Sequence, residues 1–311
     1  MGPDDIDIGA LQAELPGISL YGITPANAVN ERIREAEVVI VNKTRLDATT
    51  LTQAPNLKLI CLAATGSDNI DIACARDAGI TVCNIRDYCT PSLVQHVFAL
   101  ILELTQRLTS WRGLTNRGAW QLHDQFCMLD FTGRELQGKT LGIVGVGTLG
   151  RAVANVAAAF GMQVVAAQLP HRNTAADSMI PRLPWKQFLE TCHVISLHCP
   201  LTVSTENLIN EDTLALMRYD ALLINTARGG LVDSAALMQA LEAGELGGAG
   251  IDVLPQEPPV DGNPLLSKRL PNLIVTPHIA WAALESRQRA IDQIVSNIRA
   301  YKSGSPENTL A

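Results

Sequence analysis

Three residues far apart in the chain, Arg228, Glu257 and His278, each stand just past a short apolar run. ALLIN leads into Thr226-Ala-Arg-Gly-Gly230, GGAGIDV into Leu254-Pro-Gln-Glu-Pro-Pro259, and LIV into Thr276-Pro-His-Ile-Ala280. Their types make a sensible chemical set: a guanidinium grips a carboxylate through its planar fork, a glutamate can hold and charge an imidazole, and a charged imidazole can donate a proton. Each alone has a plainer reading, as a solvated cation, a loop carboxylate before prolines, or a satisfied polar group. What joins them is the stretch KTLGIVGVGTLG, Lys139–Gly150, which spaces Gly145, Gly147 and Gly150 around Thr148 and Leu149 as in a dinucleotide-binding turn. Gly145 permits the tight bend, Gly147 lets backbone approach a pyrophosphate, and Gly150 lets the next helix pack on the strand. The N-terminus of that helix then offers N–H groups to the anion.

Such residues need a sheet to bring them together. Thr140–Val144 reads as a buried strand, and RAVANVAAAF is an Ala-rich helix with Gly161 just past its end. Further strands are expected near 163–167, 193–197, 221–225, 248–252 and 273–276, which together make a doubly wound parallel sheet whose strand ends face one crevice. Asp233 caps a helix over 233–243 that Gly244 closes. Residues 1–90 alternate ISLYG, VVIVN, LKLICLAA and ITVCN with helical patterns, the rhythm of a smaller parallel α/β domain. Its loop from Ala64 to Asp71 is either a ligand loop at a strand end or a plain turn made by Gly66, Ser67 and Asp68. Thr90, as N-cap before Pro91, opens a long helix that links the domains. Residues 111–135, with Trp111, Trp120 and Phe126, lack periodicity and form either an irregular arm over a surface or dimer partner, or a loop within the domain.

The 311 residues suffice for two domains, and the 47% apolar fraction for sizeable cores. A formal net charge of −7 without a Lys/Arg block argues against nucleic acid or an anionic membrane as the main partner. The opening MGPDDIDIGA has no basic, apolar leader pattern, and no stretch is long enough for a membrane span, so the expected location is cytoplasmic. Seven scattered cysteines, none spaced CxxC, read as reduced thiols, with neither a disulfide framework nor a metal site.

In order along the chain, GVGTLG, SLHCPLT, NTARGGLVD, the DVLPQEPP run and TPHIAW resemble the D-isomer-specific 2-hydroxyacid dehydrogenases. ATGSDNID, the YCTPSLVQHVFALILEL helix and TPHIAW are most similar to the glycerate dehydrogenase, or hydroxypyruvate reductase, branch. The resemblance covers nearly the whole chain. It implies an α/β fold of two doubly wound parallel-sheet domains: a Rossmann-type cofactor domain over 101–281 and a smaller, flavodoxin-like substrate domain made of 1–100 and 282–311. It implies a homodimer through the cofactor domain. Arg228, helped by the backbone N–H groups of Thr65 and Gly66, would bind the substrate carboxylate. His278 would be the acid/base, and Glu257 would pair with it and favour its charged form. The cofactor would meet Gly145, Gly147, Thr148, Leu149, Gly150, Thr226, Ala227 and His278, with Cys199 and Pro200 on the adenosine side and Asp252 near the nicotinamide carboxamide. A packing role for Cys199 stands open beside this.

Two positions depart from the family pattern. Gln168 stands where NAD-using members carry the acidic residue that binds the ribose hydroxyls, and Arg172 or His171 is the nearest group to meet a 2′-phosphate, so the cofactor is expected to be NAD or NADP. Members normally open with a strand ahead of the segment that here begins at Met1-Gly2-Pro3, so a first strand is expected to be missing upstream. Within the family, a glyoxylate or general D-2-hydroxyacid reductase is the runner-up; phosphoglycerate dehydrogenase is disfavoured because the chain ends soon after its closing helix. The rival of another class is a dinucleotide-sensing interaction protein like the C-terminal-binding-protein corepressors, disfavoured because no further segment extends beyond the fold.

Overall fold

A computed structural model describes residues 5–170 and 180–311. The chain divides into two compact units, Met1–Cys89 with Ala282–Ala311, and Thr90–Trp281. The division falls at the start of the long helix rather than inside it near residue 100, because from its first turn that helix buries Leu93, Val94, Val97 and Ile101 in the core of the second unit. The expectation of a missing opening strand concerns sequence upstream of Met1, and residues 1–4 themselves lie outside the described residues.

In the first unit, β1 (Val38–Val41), β2 (Leu59–Leu62) and β3 (Thr81–Cys83) form a parallel sheet in sequential order. β2 is central and wholly buried, as its unbroken LICL run requires in a parallel sheet covered on both faces. The closing helix Leu284–Lys302 belongs to this unit and buries Ile291, Ile294 and Ile298. Leu310 N–H donates to the Val82 carbonyl and Val82 N–H to that of Ala311, so the chain end covers the outer edge of β3. ISLYG, expected as a strand, is irregular backbone with Leu20 and Tyr21 exposed. An apolar run becomes a strand only where a neighbour takes its backbone hydrogen bonds, and ISLYG has none among the described residues.

In the second unit, seven parallel strands are ordered β10-β9-β8-β7-β4-β5-β6. They are β4 (Thr140–Val144), β5 (Gln163–Gln168), β6 (Arg182–Pro184), β7 (Val194–Leu197), β8 (Leu222–Asn225), β9 (Gly248–Ile251) and β10 (Leu273–Val275). The chain winds outward from β4 through β5 to β6, then returns to β7 on the other side of β4, which puts the topological switch point between β4 and β7. β6, three residues ending in proline, has no readable pattern and is an addition to the expected six. The register aligns Val144, Leu197, Asn225, Ile251 and Val275 in one row, so all five strands end at the same edge.

The helix Thr90–Gln106 begins one residue earlier than expected, with Thr90 inside it and its hydroxyl buried without a hydrogen-bond partner among the described residues, so Thr90 is not the cap. Leu108–Asn116 is a further short helix that takes in the start of the 111–135 stretch, expected as an irregular arm or a loop within the domain. Beyond it the segment folds back on itself: Trp111 meets the edge of Phe131 at 4.9 Å, and the Trp120 indole donates to the Phe126 carbonyl at 3.0 Å. No helix among the described residues is long and apolar enough to cross a membrane.

Candidate active site

The row of strand ends carries the glycine turn at one end and a set of acid–base groups at the other. After β4, Gly145 has φ +102°, and a Cβ there would stand 2.6 Å from the Cys199 nitrogen, so the turn passes directly over the chain leaving β7. A Cβ at Gly150 would run into the Gly145 carbonyl, the close helix–strand approach expected of that glycine. Gly147 differs from both: a Cβ there meets nothing within 4 Å, and Gly147 is the N-cap of the helix Thr148–Ala159 with no side chain capping it. The helix thus presents its first N–H groups, with their positive end of the helix dipole, to open space. Gln168 ends β5 with its side chain exposed, while Arg172 lies outside the described residues. Beside Gln168, Arg182 on β6 donates from Nη1 to the Ala167 carbonyl at 3.0 Å.

The Cys199 side chain is buried in the hydrophobic core, so what this position offers the turn is backbone; Pro200 is exposed. Beneath the turn, His198 N–H donates to the Val144 carbonyl at 2.7 Å, and its ring nitrogen Nε2 lies 2.9 Å from Ser196 Oγ. Burial pushes this imidazole down to about 4. Burial also raises the thiol of Cys192, to about 12, which keeps it protonated and unreactive. Among the described residues no disulfide and no cluster of three or more metal-ligating side chains occurs.

After β8 the chain turns sharply, and Asn225, fully buried at the strand end, shapes that turn. Its Oδ1 accepts from Ala227 N–H at 3.0 Å and its Nδ2 donates to the Arg228 carbonyl at 2.9 Å. Thr226 keeps a buried hydroxyl with no partner among the described residues, a polar atom that suits a bound dinucleotide. Arg228 is half-buried, its Nη1 on the Ala227 carbonyl at 2.8 Å. A Cβ on Gly229 would run into the Leu254 backbone, so the Arg228 loop lies against the segment that carries Glu257.

Glu257 and His278 are brought together directly. His278 Nδ1 lies 2.6 Å from Glu257 Oε2, and the other carboxylate oxygen accepts from Leu254 N–H at 2.9 Å. With Nδ1–H committed to the carboxylate, Nε2 is the nitrogen left to exchange a proton. His278 adopts φ +56°, a left-handed conformation rare for a residue with a side chain. Its N–H donates to the Asp252 carbonyl at 2.8 Å, and its own carbonyl accepts the Trp281 indole N–H at 2.9 Å.

Asp252, expected near the nicotinamide carboxamide, is 1% exposed and spends both carboxylate oxygens on this loop. Oδ1 accepts from Thr276 Oγ1 at 2.5 Å and Ile279 N–H at 2.9 Å, and Oδ2 from Ala280 N–H at 2.9 Å. Burial drives its carboxyl upward, but hydrogen bonds from His96, Thr276, Ala280 and Ile279 outweigh that and hold it below the usual range. Asn225, Thr276 and Trp281 were not read as site residues; the one signal was Asn225, a polar residue closing an otherwise apolar run.

In the other unit, Thr65 and Gly66 lie in the loop after β2. Thr65 Oγ1 donates to the Ile85 carbonyl at 2.9 Å, and Asn84 Nδ2 donates to the Thr65 carbonyl at 2.8 Å. Neither the Thr65 nor the Gly66 N–H donates a hydrogen bond among the described residues.

Residues 98–280 match the family described as D-isomer specific 2-hydroxyacid dehydrogenase, NAD binding domain. A glycerate dehydrogenase of Methylorubrum extorquens is 45% identical over 287 residues, 92% of this chain and 89% of its own length. A hydroxypyruvate reductase of Blautia hydrogenotrophica is 34% identical over 100% of this chain and 96% of its own. The solved structure of the TT0316 protein from Thermus thermophilus is 36% identical and superposes with a TM-score of 0.85, covering 94% of this chain and 91% of that one.

Proposed function

Since the chain belongs to the D-isomer specific 2-hydroxyacid dehydrogenases, we propose that it reduces hydroxypyruvate to D-glycerate, and the reverse, with NAD or NADP as cofactor. The observation that carries this is the Glu257–His278 pair at 2.6 Å, on the sheet edge that also holds the open N-terminus of the glycine-turn helix. The cofactor, when bound, supplies hydride to C2 of the keto acid. Arg228 holds the substrate carboxylate, with the N–H groups of Thr65 and Gly66 as further donors, and His278 delivers a proton from Nε2 to the keto oxygen. Glu257, 2.6 Å from Nδ1, holds the ring orientation and the tautomer. Gly145, Gly147, Thr148, Leu149 and Gly150 hold the pyrophosphate, Pro200 flanks the adenosine, and the exposed Gln168 stands beside its ribose; Arg172 is the proposed contact for a 2′-phosphate. In this reading the unit Thr90–Trp281 binds cofactor and the other binds substrate.

The test is a panel of NADH or NADPH with hydroxypyruvate, glyoxylate, pyruvate and phenylpyruvate, followed at the nicotinamide absorbance. Hydroxypyruvate should be reduced fastest, glyoxylate next, and aromatic keto acids slowly; a preference for phenylpyruvate refutes the substrate assignment. We also propose a cytoplasmic homodimer through the cofactor unit, supported by the exposed apolar Leu122, Phe126 and Leu129 of its folded-back segment. Light scattering on the parent and on Phe126→Asp tests it, a dimer in both cases removing that segment from the interface.

A further inference from the structure

Two side chains one turn apart on the helix Thr90–Gln106 reach the loop that carries His278. Ser92 Oγ donates to the Ala280 carbonyl at 2.7 Å, while His96 Nε2 lies 3.0 Å from Thr276 Oγ1 and 3.5 Å from Asp252 Oδ1. The direction of these bonds follows from counting protons. A carboxylate only accepts, so the single Thr276 hydroxyl proton goes to Asp252, and the threonine oxygen turns a lone pair to His96. Nε2 of His96 is therefore the donor, and its N–H closes a chain from the helix through Thr276 to Asp252. Asp252 then fixes the N–H groups of Ile279 and Ala280 by its carboxylate, and that of His278 by its main-chain carbonyl. The imidazole of His96 is only 17% exposed, so without it Thr276 and a buried carboxylate would have one donor fewer and little water to replace it.

We propose that His96 is a positioning residue for His278: by donating from Nε2 it locks Thr276 and the Asp252 carboxylate in the orientation that holds the left-handed backbone at residue 278 and aims its imidazole. The inference rests on the acid role proposed above for His278. An imidazole held even 1 Å off line loses much of its efficiency, because proton and hydride transfer share one geometry.

The experiment compares the full-length parent with His96→Leu, His96→Asn and His96→Gln. A glutamine amide reaches about as far as Nε2 and can donate there, whereas an asparagine amide stops near the position of Nδ1 and cannot. His96→Leu and His96→Asn should each lower kcat about tenfold, with KM for hydroxypyruvate and cofactor affinity within about twofold of the parent, and His96→Gln should recover most of the loss. On a His278→Ala background, His96→Leu should cost nothing further, since it acts only through that ring. The Trp281 indole ¹H–¹⁵N resonance, assigned by its loss in Trp281→Phe, should shift in His96→Leu and return in His96→Gln. That resonance needs no turnover. If the parent reduces no 2-keto acid the proposed function falls, while the resonance still decides the positioning. Parent kcat in His96→Asn with an unmoved Trp281 resonance overturns the proposal, as does a full additional loss on the His278→Ala background.

Discussion

The turn after β4 and the loop after β10 both place backbone in the left-handed half of conformational space, and they do it by opposite means. At Gly145, φ +102° is available because the residue has no Cβ, and the same absence lets the chain at His198 and Cys199 pass within contact. At His278, φ +56° is imposed on a residue that keeps its side chain, the imidazole proposed above as the proton donor. A non-glycine residue there costs roughly 1–2 kcal/mol. The cost is offset by bonds from outside: Asp252 on the following N–H groups, the Asp252 carbonyl on His278 N–H, and the Trp281 indole on its carbonyl. Where the group to be placed is backbone, the fold removes atoms; where it is a side chain, the fold adds braces.

The largest effects should come from the side chains the braced loop and its neighbour deliver. His278→Ala should leave cofactor binding nearly intact while turnover falls on the order of 10²–10⁴-fold. Arg228→Ala should lose keto-acid affinity and turnover together, with Arg228→Lys restoring only part, because an ammonium lacks the planar fork. Steady-state rates with cofactor fluorescence titrations separate these, and a His278→Ala protein that reduces hydroxypyruvate near the parent rate would end the acid role.

The glycine turn should break differently at each glycine. A methyl at Gly150 meets the Gly145 carbonyl, so Gly150→Ala should lower both melting temperature and cofactor affinity, by about 1–3 kcal/mol for an overpacked contact. A methyl at Gly147 meets nothing in the protein, and its backbone is ordinary extended chain, so Gly147→Ala should leave the melting temperature alone and weaken only the cofactor. Equal melting losses in the two variants would show that packing alone accounts for both glycines.

That contrast also explains how much of the site was legible in the sequence. Gly145, Gly147 and Gly150 could be read because steric permission is local: their spacing within six residues is the whole signal. Arg228, Glu257 and His278 could be placed at strand ends because apolar runs precede each of them. The braces could not be read. Thr276 bonds Asp252 across 24 positions and His96 reaches Thr276 across 180, and no local pattern in a helix of VQHVFALIL distinguishes a histidine that braces a loop from one that merely packs. The same limit hid the covering of β3 by the chain end and left ISLYG looking like a strand, since edge pairing is decided by which partner arrives.

The glycine side has its own hidden dependence on a side chain, the half-buried His198 beneath Val144 and Gly145. Its folded value of about 4 lies below the ordinary 6.5, so between those values the unfolded chain binds the extra proton and the folded one does not. Stability is therefore complete above about pH 6.5 and declines as pH falls toward 4, by about 3 kcal/mol at most. Melting temperatures over this range should slope downward in the parent and flatten in His198→Gln; parallel slopes would assign the acid sensitivity to other groups.

Cofactor choice should move less. Gln168 offers a neutral amide where a carboxylate would repel a 2′-phosphate, so Gln168→Asp should shift the ratio of kcat/KM values toward NAD by about tenfold, a charge difference worth about 1.4 kcal/mol in a partly solvated site. An unchanged ratio would mean that the end of β5 does not contact the ribose.

The smallest effect is the one that measures the brace itself. Trp281→Phe keeps an aromatic ring at the position but removes the indole N–H that donates to the His278 carbonyl at 2.9 Å. A single hydrogen bond of this kind contributes about 1 kcal/mol net, similar to the cost of left-handed backbone at a residue with a Cβ. Without it the loop has a shallower minimum at φ +56°, and His278 spends part of its time misaimed while still touching Glu257. The expected result is a kcat lowered about fivefold, with KM for the keto acid and affinity for the cofactor unchanged, because neither Arg228 nor the glycine turn depends on the indole. Substituting glycine for the neighbouring constraint is not open here, since the imidazole must stay, so the complementary measurement is Asp252→Asn, which keeps the shape but offers an amide where two N–H groups and a hydroxyl need acceptors. It should cost more than Trp281→Phe, and the two losses should fail to add, because both act on the same backbone conformation. Strict additivity, or a Trp281→Phe enzyme with parent kcat, would mean that His278 holds its left-handed geometry without help from the indole.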